Sequence, residues 1–174
     1  MDEVKKQELH GLRSVVFTFD RPTRLTLTGD TEYKQIYTKK ERREILEKRG
    51  IDILIEHPFT KEFAALTPDR FIREVLVEKV GAKVIVVGTD FHFGKNRSGS
   101  ITDLEKLEEE CGYHLIVVEK LQLNGKDISS TRIRASLEKG AMEEAKALLG
   151  RNYSVSGENP SRKCTWTNHT GANH

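Results

Sequence analysis

Lys83-Val84-Ile85-Val86-Val87-Gly88-Thr89-Asp90-Phe91-His92-Phe93-Gly94-Lys95 is the stretch on which the fold turns. Its first half is a short run of Val and Ile with no polar alternation, the pattern of a strand covered on both faces. Its second half is a glycine-flanked loop carrying an acid, two phenylalanines and a lysine. Strands buried on both faces belong to parallel sheets, and in an open parallel sheet ligands bind beyond the carboxyl ends of the strands. The loop therefore lies where a site belongs. Gly88 and Gly94 let backbone approach a ligand, Asp90 offers an acceptor, and Lys95 and Arg97 bring positive charge. The alternative is a plain turn with Phe91 and Phe93 packed beneath it.

The flanking sequence repeats the pattern. Residues 14–19, 51–55 and 113–118 are further short runs rich in Val and Ile. Between the strands lie helical patterns. Residues 39–48 read as a charged surface helix. Residues 68–80 place Phe71, Ile72, Val75, Leu76 and Val80 along one stripe, with Thr67 as N-cap, Pro68 at the first position and Gly81 as the stop. Residues 102–111 form another helix, Leu104 and Leu107 inward and Gly112 ending it. This rhythm predicts an α/β fold, a parallel sheet flanked by helices. Residues 121–127 are a polar connection containing Gly125, and 130–139 and 141–149 are two short helices separated by Gly140.

The two ends read differently. Residues 2–10 have a helical pattern, whereas a parallel α/β domain ordinarily opens with a strand, so the first strand is expected to be absent. Residues 154–174, rich in Asn, Thr, Ser, Gly and His, show no apolar periodicity and read as a disordered or non-native tail.

Composition narrows the function classes. The chain has 174 residues, enough for one domain, with 29 Lys and Arg against 27 Asp and Glu. Near-balance provides no general polyanion-binding signature, so no nucleic-acid partner is expected. Apolar runs are far too short for a membrane span, and no secretory signal opens the chain. Cys111 and Cys164 stand far apart, which excludes a disulfide scaffold or a multi-cysteine zinc site. No His/Cys/Asp cluster has metal-ligand spacing. A cytoplasmic single domain is the expectation.

A second candidate segment is Ile128-Ser129-Ser130-Thr131-Arg132-Ile133-Arg134. Hydroxyls at a helix start are ordinary caps, but two arginines just inside the first turn, beside unpaired backbone N–H groups, suit a polyphosphate. Residues 132 and 134 lie about 200° apart on a helix of about 3.6 residues per turn, so the two do not face one ligand. Arg134 shares a face with Ser130 and Thr131 and is the phosphate candidate. Asp20, just after the strand at 14–19, is well placed for a site or for capping a turn. His57 and His92 are lone histidines read as structural, and Glu108 to Glu110 as a solvated helix face. There is no Walker loop and no G-x-G-x-x-G fingerprint.

At these loops the sequence resembles the adenylyltransferase (FAD synthetase) module of prokaryotic bifunctional riboflavin kinase/FMN adenylyltransferases. The matching pieces stand in order: Ser14-Val15-Val16-Phe17-Thr18-Phe19-Asp20, Tyr37-Thr38-Lys39-Lys40-Glu41-Arg42, Pro58-Phe59-Thr60-Lys61-Glu62-Phe63, the D-F-x-F-G loop at 90–94, I-S-S-T-x-x-R at 128–134, and Leu148-Leu149-Gly150-Arg151-Asn152-Tyr153-Ser154. The resemblance implies a Rossmann-like nucleotidyltransferase fold at residues 1–153, incomplete at its start. It also implies AMP transfer from ATP to FMN with Mg²⁺ assisting. Ser130, Thr131 and Arg134 are then the catalytic residues, and Gly88, Asp90, Phe91, Phe93, Ser129 and Asp20 bind nucleotide or flavin.

Several features depart from the family pattern. No G-x-F-D-G-x-H-x-G-H loop is present, Arg21-Pro22-Thr23 replaces the usual P-H-P, and His92 stands where Arg is usual. The riboflavin kinase module is absent from these 174 residues. Impaired turnover is therefore expected, the alternative being an inactive fragment that binds nucleotide or protein.

Overall fold

Two strand–helix–strand units carry the chain. The computed structural model describes residues 11–23, 26, 29 and 34–154. The first unit is β1 (Val15–Phe19), α1 (Lys39–Lys48) and β2 (Ile53–His57). Helix α1 starts at Thr38 because Thr38 and Glu41 form a reciprocal capping box. β2 lies two residues later than the run at 51–55. Asp52 takes the Ser14 N–H and Oγ, both at 2.7 Å, and holds the head of the ladder there. β1 and β2 pair in parallel, Val15 opposite Ile53 and Phe19 opposite His57.

A short helix α2 (Lys61–Ala64), capped by Thr60, leads to α3 (Pro68–Arg70), which runs on into a π-helical segment, Phe71–Lys79. Thr67 caps it and Pro68 occupies its first turn as expected. The wider turn, with Val80 N–H donating to Val75 C=O at 2.9 Å, changes the buried face. Phe71, Ile72 and Val75 are buried, and Leu76 and Val77 pack beside them, where an α-helical stripe selects Val80.

The second unit is β3 (Val84–Gly88), α4 (Ile101–Cys111) and β4 (His114–Val118), the strands again parallel, Val84 opposite His114. Gly112, at φ +67°, ends α4. The acidic run is more than a solvated face. Glu110 pairs with Arg73 at 2.8 Å, tying α4 to the π-helical segment, and Glu108 accepts from the Leu115 N–H at 2.9 Å. Expected as a plain connection, residues 121–127 form a two-stranded hairpin, β5 (Gln122–Leu123) and β6 (Lys126–Asp127). Helices α5 (Ser130–Glu138) and α6 (Met142–Leu149) follow.

One parallel sheet was the expectation; among the described residues there are two separate parallel pairs, β1–β2 and β3–β4. They share one core. Ile72 and Leu104 are completely buried beside Phe71, Val75, Ile85, Phe93 and Tyr113, and Phe17, Val87 and Leu115 pack against this cluster. Burial pushes the Tyr113 phenol up to about 12, and its hydroxyl donates to the Leu104 carbonyl. The segments that follow β2 and β3 adjoin: Lys95 N–H donates to Leu66 C=O at 2.7 Å, and Phe93 packs on Phe71 with ring centres 5.4 Å apart. The expected helix at 2–10 and the tail from 155 onward lie outside the described residues.

Candidate functional site

At the carboxyl end of β1 the chain leaves a cleft of about 280 Å³. Its wall includes Phe19, Asp20, Arg21, Tyr37, Arg42 and Arg134. These come from the loop after β1, the entry to α1 and the first turns of α5, so the cleft stands where strands of an open parallel sheet deliver their loops. Phe19 belongs to an aromatic cluster behind it, 4.7 Å from Phe59 and 5.5 Å from Phe63, with His57 4.4 Å from Phe63.

The charges in the wall are mostly positive. Asp20 is the acid among the described lining residues, against Arg21, Arg42 and Arg134. Desolvation acts to raise the Asp20 carboxyl, but hydrogen bonding from the Phe59 N–H and from Arg21 outweighs it and holds the group below the ordinary aspartate value. Arg42 is anchored by Glu56 and by the Phe19 carbonyl at 3.3 Å, yet its Nε is buried with no hydrogen-bond partner among the described residues. A buried N–H of this kind calls for an acceptor. Tyr37 carries the Arg151 guanidinium 4.6 Å above its ring, which docks the segment after α6 onto this region.

Sequence reasoning separated Arg132 from Arg134, and the two side chains diverge in the structure. Ser129 caps α5, accepting from the Arg132 N–H at 3.2 Å. Arg134 lines the cleft, its Nε donating to Lys34 C=O at 2.9 Å and its Nη1 to Ser130 Oγ at 3.4 Å. Arg132 turns away. Its guanidinium donates to the carbonyls of Leu123 and Lys126 and to Glu144, and Glu144 also accepts from buried Ser136. Arg132 thus clamps the hairpin, α5 and α6 together. Ser130 and Thr131 are exposed at the helix start.

The loop after β3 divides between core and surface. Phe93 is buried in the core and Phe91 stacks on it at 5.3 Å, as the plain-turn alternative supposed. Gly94, at φ +70°, sits where a Cβ would stand 2.9 Å from the Pro68 nitrogen, so its smallness admits the chain's own backbone. Asp90 is exposed and pairs with Lys120 at 3.0 Å; Lys120 also reaches Asp127 at 3.8 Å. That cation links the D-F-x-F-G loop to the residue preceding I-S-S-T. Gly88, Asp90, Phe91 and Phe93 do not line the cleft, whereas Asp20 and Arg134 do.

Sequence reasoning had not selected Arg42, Tyr37 or Arg21 as site residues. The available signal was local: Arg42 lies one turn inside a helix whose cap, Thr38, follows Tyr37 in one of the family-like pieces.

Residues 1–132 match the sequence profile of the family described as FAD synthetase. The chain belongs to the FAD synthetase family. It is 30% identical to the bifunctional riboflavin kinase/FMN adenylyltransferase of Buchnera aphidicola subsp. Schizaphis graminum, over 85% of this chain and 48% of that protein. Against the Listeria monocytogenes enzyme of the same description the identity is 32%, over 84% of this chain and 46% of the relative. The chain thus spans about half the length of these curated relatives. A crystal structure described as a macrolide-efflux protein from Streptococcus pneumoniae superposes with a TM-score of 0.75 at 28% identity, over 87% of this chain and 56% of that one. No helix among the described residues is long and apolar enough to cross a membrane. This FAD synthetase family member also shows no cluster of three or more metal-ligating side chains among the described residues.

Proposed function

We propose that this chain carries the FMN adenylyltransferase reaction, moving AMP from ATP to FMN to form FAD and pyrophosphate. The observation that carries the reading is Arg134, in the wall of the same cleft as Asp20 and Arg42, one turn inside a helix that opens with three hydroxyls. A helix start with hydroxyl donors and a guanidinium suits a polyphosphate, and Arg42 adds a second positive charge to the same wall.

In this reaction an FMN phosphate oxygen attacks the α-phosphorus of ATP. The bond from that phosphorus to the bridging oxygen breaks, and pyrophosphate leaves with the electron pair. No covalent enzyme intermediate is needed, so the residues act by positioning and by stabilising charge on the phosphoryl oxygens. Ser129 holds the helix start, Ser130 and Thr131 offer hydroxyl donors, and Arg134 supplies positive charge. The hydrogen bond from Lys120 holds the Asp90 carboxyl below the ordinary aspartate value. Asp20 is the carboxylate among the described lining residues, and it would be the protein's contact to a Mg²⁺ carried on the ATP phosphates. The chemistry such an ion would supply is neutralisation of phosphate charge.

Turnover by the 174-residue chain is expected to be low, because no histidine is among the described residues lining the cleft and the sheet behind it is split. The test measures FAD formed from FMN, ATP and Mg²⁺ by chromatography, with ATP binding followed by calorimetry. Expected are Arg134-dependent ATP binding and slow FAD formation. ATP binding indifferent to Arg134 would overturn the site, and turnover equal to that of a full-length relative would overturn the low rate.

A further inference from the structure

Gln35, Ile36 and Tyr37 line the cleft, and Tyr37 leads straight into the Thr38 cap of α1. A second hold on this stretch of wall comes from far along the chain. Arg134 Nε donates to Lys34 C=O at 2.9 Å, the Lys34 ammonium lies 3.5 Å from Glu138, and the Arg151 guanidinium stands 4.6 Å over the Tyr37 ring. The first two partners lie on α5 and the third follows α6, and these helices pack as a pair. Glu144 of α6 accepts from Arg132 and from the buried Ser136 of α5. Gly150, at φ +65°, ends α6 immediately before Arg151.

The three contacts are unequal. Both side chains of the Lys34–Glu138 pair are exposed, and such pairs contribute little. Arg134 is the phosphate contact of the proposed reaction, so a polyphosphate in the cleft draws on the same guanidinium that grips Lys34. Arg151 is not among the residues lining the cleft, and its hold on the Tyr37 ring is free of that competition.

We propose that Arg151 is a positioning residue for this cleft: by holding the Tyr37 ring it keeps the wall at 35–37 in the arrangement that takes ATP, without touching ATP itself. The identity of the ligand rests on the adenylyltransferase reading. The physical logic is one of populations. A wall already held in the binding arrangement gives the full intrinsic affinity, and a wall that spends part of its time elsewhere lowers the apparent affinity by that fraction. A guanidinium over an aromatic ring is a contact that arginine makes well and lysine also makes, whereas an uncharged glutamine cannot supply the cation.

The test compares the whole 174-residue chain with Arg151→Gln, Arg151→Lys, Tyr37→Leu and the double variant Arg151→Gln/Tyr37→Leu, titrating ATP by calorimetry well below the melting temperature. Arg151→Gln should weaken ATP binding about three- to tenfold, and Arg151→Lys should recover most of that loss. In the Tyr37→Leu background Arg151→Gln should add no further loss, because the ring it acts through is gone. Without nucleotide, NMR spectra of ring-labelled tyrosine should show the Tyr37 signals displaced in Arg151→Gln and those of the buried Tyr113 unmoved. A merely structural role would lower the melting temperature and leave the Kd of the folded protein unchanged, and that result overturns the proposal. Unmoved Tyr37 signals, or an equal loss in the Tyr37→Leu background, would overturn it as well. A parent chain that binds no ATP overturns the adenylyltransferase reading and the proposal's ligand with it, whereas an Arg151→Gln variant without effect in a parent that binds ATP overturns the positioning role alone.

Discussion

Replacing Arg134 by alanine separates the cleft's ligand chemistry from its architecture. The guanidinium donates to Lys34 C=O at 2.9 Å and to Ser130 Oγ at 3.4 Å, and both are exposed positions on the rim. Losing such bonds costs the fold about 1 kcal/mol, so Arg134→Ala should still melt cooperatively, a few degrees below the parent. The effect on ATP should be larger. A hydrogen bond to a charged group contributes about 1.5–3 kcal/mol, equivalent to about a 10- to 150-fold rise in Kd. The FAD-forming step should lose more, because a donor aimed at developing charge contributes about 2.7–4 kcal/mol to the transition state. Calorimetric titration of ATP into both proteins, with circular dichroism melts alongside, measures the first two quantities. Arg134→Lys should fall between them, since it keeps the charge but loses the planar fork. Folded Arg134→Ala binding ATP within about twofold of the parent would refute the assignment.

Arg132→Ala should behave in the opposite sense. Its bonds to the hairpin carbonyls and to Glu144 are structural, so about 1.5–3 kcal/mol of stability should go, measured by urea unfolding. A double-mutant cycle with Glu144→Ala should show coupling, and an unchanged stability with weakened ATP binding would exchange the roles of the two arginines. Gly94→Ala and Gly81→Ala share a φ of +70°, but an added Cβ at Gly94 meets Pro68 at 2.9 Å whereas one at Gly81 meets nothing within 4 Å. Both should lose more than about 1 kcal/mol, with Gly94→Ala losing clearly more; equal melting losses would show that the contact carries no cost. The Glu56 carboxyl is held below its ordinary value of 4.5 by hydrogen bonds from Arg43 and Arg42. A lowered folded-state value means that this stability is full above about pH 4.5 and is lost as pH falls through the lowered value. Melting temperature followed from about pH 7 to pH 3 should therefore fall less steeply in Glu56→Gln than in the parent, and parallel acid limbs would sink the attribution.

Much of the fold was legible because its causes lie within one turn or one strand length. Residues 39–48 read as a helix and fold as one, and Thr67, Pro68, Gly81 and Gly112 act at the helix ends for local backbone reasons. Arg132 and Arg134 could be told apart from the helical period alone. What failed was whatever depended on a distant partner. β2 sits two residues late because Asp52 bonds to Ser14, and the acidic helix face carries a bridge to Arg73. Val77 replaces Val80 at the core because the helix widens.

The sequence by itself determined an α/β chain of short parallel strands, the helix start that bears Ser129, Ser130, Thr131 and Arg134, and the family. Only the tertiary structure decided that Arg134 meets the loop after β1 across 100 residues, that Phe93 serves the core and that Arg42 enters the cleft. The same holds for the division of the described strands into two parallel pairs. The reason is physical. Periodicity and caps follow from neighbours along the chain, whereas the meeting of side chains and the pairing of strand edges depend on how all the elements pack at once.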